Sequence, residues 1–454
     1  MSAAVDAMAE RPAPGPPRAY RFPEFERHRL ANGLEVVVAP VRKLPVATVR
    51  LALDAAAMTE PRGAEGLGLL TAKALLEGTA SRDADALAVD LERLGASVEV
   101  GVGWDLSTLT ATVVAHRVPA LLEMMAEMVR MPRFAERDVL RLRGEVQADL
   151  VNRRAEPRGL ADDSFGRFVY VGDSRYAAPE DGRRESVAAL DPDDLVKFHG
   201  SRMVPGTATL IVAGDVQPEE IATLAERTLG DWTGQAPAPA KVLDAPAHDR
   251  PGVHLVRRAD APQSELRIGH VGLPRRHPDY FPVTVMNAIL GGLFNSRINL
   301  NLRETHAYTY GAFSAFEWRR AAGPFVVSTA VQSEVTAAAA REVMNEIGRM
   351  RAETVSSDEL SLAVSYLDGV FPIRYETTAA IAQALTALVA YDLPADYYDA
   401  YRDNVRAVTL PDVLHAAERH LHPDAMQVVV VGDPQVVREP LADGGFGPVE
   451  VVEE

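Results

Sequence analysis

The densest group of ligating side chains in the sequence is HAAERHLH at residues 415–422, with three histidines and a glutamate. On a helix His415 and Glu418 stand about one turn apart, but His420 lies five residues from His415, roughly 140° around the axis. Two histidines that share a zinc ion from one helix need a spacing of four. The group therefore reads as the solvated face of a helix. GAEGLG (63–68) carries glycines, but no strand feeds it and no Gly-Lys-Ser/Thr follows, so phosphate cradling is not expected. No G-x-S-x-G elbow occurs. The chain has no cysteine, which removes thiol nucleophiles, thiolate metal sites and disulfides together. One further helix is notable for what it lacks: before its closing Gly-Thr, GLGLLTAKALLEGT (66–79) offers one threonine, one lysine and one glutamate.

The elements that would position any site belong to a large soluble chain. Its 454 residues predict two to four domains. With 47% hydrophobic and 24% charged residues it falls in the globular class, and a net charge of −17 argues against a nucleic-acid partner. No apolar run approaches the ~18 residues of a membrane span. Asp6 and Glu10 interrupt the first 20 residues, which lack the apolar core of a signal peptide. A cytoplasmic location is expected, and residues 1–24, Pro-rich at 12–17, read as a flexible arm.

An internal repeat organises the rest. DLVKFHGSRMVPGTATLIVAGD (194–215) aligns without a gap on DVLHAAERHLHPDAMQVVVVGD (412–433), pairing Asp194 with Asp412, Pro205 with Pro423, and Gly214-Asp215 with Gly432-Asp433. Each copy predicts a short helix, a proline turn and an apolar strand. A long period occurring twice implies a duplicated domain. The expected units are residues 25–232 and 252–440, joined by a Pro/Ala-rich, semi-extended linker at 233–251 and followed by an acidic tail at 441–454. Strands mixed with long helices predict an α+β fold. Each half would be a mostly antiparallel sheet packed on one face by helices.

With paired strands before it, GT at 78–79 after it, then LERLGA, a proline at 157, Gly-Asp strand ends and the duplication, the chain resembles the insulinase, pitrilysin and mitochondrial-processing-peptidase family of zinc peptidases over nearly its whole length. The resemblance implies two homologous domains closed as a clamshell around a chamber. In that family the helix before Gly-Thr carries H-x-x-E-H, two zinc ligands with a general base between them. Counted back from Gly78, the ligand positions fall on Leu69 and Lys73 and the base on Ala72. The third ligand position, eight residues before the proline, is Asp149. Leucine and alanine offer no lone pair and an ammonium repels a dication, so no metal site and no cofactor are expected in this chain.

The second half keeps the family's downstream signature in ILGGLFNSRINLNLRETHAYTYGAFSAF (289–316). There Arg303 and Tyr310 match the arginine–tyrosine pair that the family uses on substrate. The resemblance gives Arg303 a hold on peptide carbonyls and Tyr310 a hydrogen bond to the oxyanion of the transition state. An ion pair for Arg303 and packing for Tyr310 are the structural alternatives, and the roles of His306 and Tyr308 stay open. The implied function is a zinc-less subunit of a heterodimeric metallopeptidase. It would present Arg303 and Tyr310 in trans to a zinc-bearing H-x-x-E-H partner, and would not be active alone. The alternatives are a non-catalytic peptide-binding or scaffold homodimer, and an enzyme with relocated zinc ligands.

Overall fold

The computed structural model describes residues 19–453. The Pro-rich stretch 12–17 and most of the expected arm lie outside the described residues.

Each half contributes a six-stranded sheet. The first holds β1 (Glu26–Arg29), β2 (Glu35–Pro40), β3 (Val46–Leu53), β4 (Glu99–Val102), β5 (Ser107–Val114) and β6 (Ala208–Gly214), in the order β1-β2-β6-β3-β5-β4. The second holds β7 (Gly252–Arg257), β8 (Gln263–Val271), β9 (Ala312–Phe316), β10 (Pro324–Gln332), β11 (Gln427–Gly432) and β12 (Val449–Val452), in the order β12-β7-β11-β8-β10-β9. Apart from the edge strands β1 and β12 the two orders correspond, β2-β6-β3-β5-β4 against β7-β11-β8-β10-β9. Pairing is antiparallel except for β2–β6, β7–β11 and β7–β12. The fold class is α+β.

The sequence repeat maps onto the strands β6 and β11 and the helices before them, Pro192–Arg202 and Leu410–His420. Both helices open with a capping box, Asp191 with Asp194 and Thr409 with Asp412, so the repeated aspartate returns a hydrogen bond to its own N-cap. One turn further on, Leu195 and Val413 are fully buried.

Each sheet is covered on both faces, by different halves of the chain. Along β2, Val36 and Val38 face a core built from first-half helices, including Leu121, Leu122 and Met125 of Val118–Arg130. Val37 and Ala39 point the other way and join a core with Ile381 and Leu385 of the Thr378–Ala390 helix, from the second half. The reverse exchange covers the second sheet. The first-half helix Pro157–Val169 packs Leu160, Phe165, Phe168 and Val169 against Val429 and Val431 of β11. At about 1.5–3 kcal/mol per buried side chain, those four alone contribute on the order of 10 kcal/mol.

The loop between β9 and β10 fastens the exchange. The Arg320 backbone N–H donates to the Asp105 carboxylate at 3.1 and 3.2 Å, and its guanidinium meets Asp54 at 2.7 Å. The neighbouring Arg319 guanidinium lies over Trp104 and Tyr176, 4.3 and 4.5 Å from the ring centroids.

Both ends of the described residues are built into the fold. Residues 441–454, expected as an acidic tail, include β12, which pairs in parallel with β7. Val452 is buried there, and its apolar contact outweighs the local acidity. In the arm, Phe22 stacks on Tyr398 at 4.5 Å and the Tyr20 hydroxyl donates to the Tyr375 carbonyl. Residues 233–241 carry no helix or strand. Farther along the linker, Asp244 accepts the Ala322 N–H and Pro246 bridges to Tyr170. Among the described residues no helix is long and apolar enough to cross a membrane.

Candidate functional site

The Leu67–Ala74 helix begins at Gly66, whose φ of +97° suits glycine. Its free N-terminal amides are met by Glu60, which accepts from Gly66 N–H at 3.1 Å and Gly68 N–H at 2.7 Å. Arg175 holds that carboxylate in turn at 2.7 Å, with both side chains buried. The helix is therefore anchored at its N-terminus by a buried ion pair. Its face carries no ligand set. Ala72 is fully buried, Leu69 packs against the first-half core, and Lys73 points toward the Glu136–Ala155 helix. There the Lys73 Nζ lies 3.9 Å from Asp149 Oδ2. All four positions named from the sequence fall in one neighbourhood, and an ammonium stands beside the remaining carboxylate. These residues do not fit zinc: one carboxylate ligand, already neutralised by a lysine, cannot hold a dication.

The second-half candidates sit on an irregular stretch. The segment Ala288–Gly292 is π-helical, and so is Leu300–Thr305. Such single turns concentrate at functional sites. Gly291 is required by close approach, since a Cβ there would meet Ser314 Oγ at 2.4 Å. Asn299 ties the stretch together, accepting from Ala312 N–H at 3.0 Å and donating to the Phe294 carbonyl at 2.6 Å. Arg297 forks onto Glu359 at 2.6 and 3.0 Å and, with the Ser356 cap, holds that carboxyl down to about 2.

Arg303 lies 4.6 Å over the exposed Phe294 ring, and its ion pair is with its neighbour Glu304 at 3.5 Å. Tyr310 is 97% exposed, so its phenol serves no packing role. Phe313, on β9, is also exposed. Tyr308, two residues before Tyr310, is instead half-buried against the core and stacks on His306 at 4.9 Å. His306 Nε2 lies 3.9 Å from Glu342.

Two family models match the chain: "Insulinase (Peptidase family M16)" over residues 36–165 and "Peptidase M16 inactive domain" over residues 189–367. An uncharacterized zinc protease of Rickettsia bellii is 23% identical over 414 residues, 89% of this chain and 97% of that protein. One from Bacillus subtilis is 19% identical, covering 78% and 85%. The crystal structure of a peptidase M16 inactive domain from Pseudomonas fluorescens superposes with a TM-score of 0.84 at 26% identity, covering 90% of this chain and 98% of that one. A protease from Helicobacter pylori shares the fold, with a TM-score of 0.83 at 17% identity over 90% and 100%. This chain belongs to the insulinase family.

It is of the family's non-zinc-binding type, which the Lys73–Asp149 contact expresses in atoms. Several residues that shape this insulinase-family chain gave no signal in the sequence. The Glu60–Arg175 anchor joins residues 115 apart, and the Arg297–Glu359 fork spans 62. The histidine group at 415–422 also differs from expectation. His415 and Glu418 are solvated, but His420 is buried and meets Asp279 at 2.7 Å, because the helix turns it inward.

Proposed function

We propose that this insulinase-family chain is the zinc-less subunit of a heterodimeric metallopeptidase, contributing Arg303 and Tyr310 to a site whose zinc and general base belong to a partner chain. The contrast between the two halves carries this reading: the helix that should hold zinc is anchored but emptied, while Tyr310 is presented to solvent at 97% exposure. A guanidinium fork suits peptide carbonyls, and a phenol suits an oxyanion that appears only in the transition state. Phe294, exposed beneath the Arg303 guanidinium, adds apolar surface for substrate side chains. The relatives named as zinc proteases support peptide hydrolysis as the chemistry.

The test is co-expression with a family member that has an intact H-x-x-E-H helix, followed by a peptide cleavage assay. Cleavage that requires both chains is expected. It should fall about a hundredfold in Tyr310→Phe, the usual cost of losing one oxyanion donor. Undiminished cleavage in both Arg303→Ala and Tyr310→Phe would refute the trans role. Binding of peptide without cleavage in any pairing would favour the scaffold reading.

A further inference from the structure

Away from the emptied helix, the second half assembles a different ligand set. His277 lies in the turn before the Tyr280–Asn287 helix, Asp279 is that helix's N-cap residue, and His420 ends the Leu410–His420 helix. Packing of the two helices brings one ligand atom of each residue within 4.8 Å of the other two. We infer that His277, Asp279 and His420 form a binding site for a borderline divalent metal of the zinc, cobalt or nickel class.

The chemistry of the three groups supports that class. Two imidazoles and one carboxylate suit Zn²⁺ and its neighbours and leave coordination positions for water. Calcium and magnesium prefer all-oxygen shells. His420 is buried, with Nε2 2.7 Å from Asp279 Oδ2, and the His277 ring stands edge-on to it at 5.0 Å. His277 Nδ1 accepts the Asp279 backbone N–H at 3.1 Å, so coordination through that nitrogen also displaces this hydrogen bond. Binding replaces the His420–Asp279 hydrogen bond with two bonds to one ion, and His420 then carries its proton on Nδ1. The adjacent His270 is not a ligand. Its Nδ1 donates to the Val271 carbonyl at 2.7 Å and its Nε2 accepts the His422 N–H at 3.2 Å. One group opposes the ion: Arg419 lies 3.3 Å from Asp279 Oδ2, on a side chain 68% exposed that can swing into water. A metal here would staple the two helices, and it does not depend on the peptidase reading.

The full-length chain, untagged and stripped with chelator, should be titrated with Co²⁺ and Zn²⁺. Visible absorption reports coordinated Co²⁺, and calorimetry reports the stoichiometry. One equivalent is expected, weakened about tenfold or more in His277→Ala and His420→Ala. His277 is half-exposed, so its variant keeps the fold and remains a fair comparison. Binding should persist in His415→Ala, and Arg419→Ala should bind more tightly because the competing cation is gone. Absence of stoichiometric binding, or binding indifferent to both His277 and His420, overturns the proposal.

Discussion

The Lys73 ammonium stands 3.9 Å from the Asp149 carboxylate and joins the Leu67–Ala74 helix to the Glu136–Ala155 helix. The pair is half-open to water, with side chains 38% and 71% exposed. Exposed pairs of this kind contribute about 0–1 kcal/mol. Lys73→Ala or Asp149→Ala should therefore shift the urea unfolding free energy by less than about 1 kcal/mol. A larger loss would make the pair a structural keystone and not a remnant.

The anchor behind that helix should behave in the opposite way. Glu60 and Arg175 are both buried at 2.7 Å. Burial raises the Glu60 pKa and the arginine opposes it. Removing the guanidinium strands a buried carboxylate, so Arg175→Ala should cost about 3–5 kcal/mol. Glu60→Gln in the same chain should recover part of that loss, measured as the coupling in a double-mutant unfolding cycle.

A cavity of about 300 Å³ between the halves is lined by Trp104, Tyr176, Glu180, Glu317 and Arg319. Burial, aided by Asp181, pushes the Glu180 carboxyl up to about 7. The folded-state value lies above the 4.5 of an ordinary glutamate. Protonation therefore favours the fold, fully below about pH 4.5, and the contribution is lost as pH rises through about 7. Glu180→Gln should be near neutral at pH 5 and stabilising at pH 8 by up to about 3 kcal/mol, read from denaturant midpoints at the two pH values.

Tyr310 separates binding from folding. Its exposure of 97% means that Tyr310→Phe should leave thermal stability within about 0.5 kcal/mol of the parent. Tyr308→Ala, which removes a ring packed on the core, should lower it by more. Both variants belong in the same melting experiment. A destabilised Tyr310→Phe would show that the phenol is held by the fold.

The sequence made the duplication legible because its signal is linear: Leu195 and Val413 sit at the same offset and are both buried. The emptied helix was legible for the same reason, since counting from Gly78 reaches Leu69, Ala72 and Lys73 without any spatial knowledge. The rest depends on distance across the fold. Neither the burial of His420 nor its meeting with Asp279, 141 residues away, follows from helical spacing within 415–422. The distinction between Tyr308 and Tyr310 arises in irregular chain between a π-helical turn and β9, which no apolar periodicity marks. The strand at 449–452 was hidden because two glutamates follow it, and its partner β7 lies about 200 residues upstream.

The reciprocal helices bear on how such a chain can change over generations. Two copies of a duplicated gene usually drift apart freely, each answerable to its own core. Here a substitution in the apolar stripe of Pro157–Val169 is tested against β11, and one in Thr378–Ala390 against β2 and β6. The copies must co-evolve at those seams. The Leu67–Ala74 helix that carries Leu69 and Lys73 packs chiefly on first-half elements, the Glu136–Ala155 and Pro192–Arg202 helices and β4, so its face can be rewritten without consulting the other copy. The architecture thus permits a lineage to rewrite that helix while its shape stays fixed.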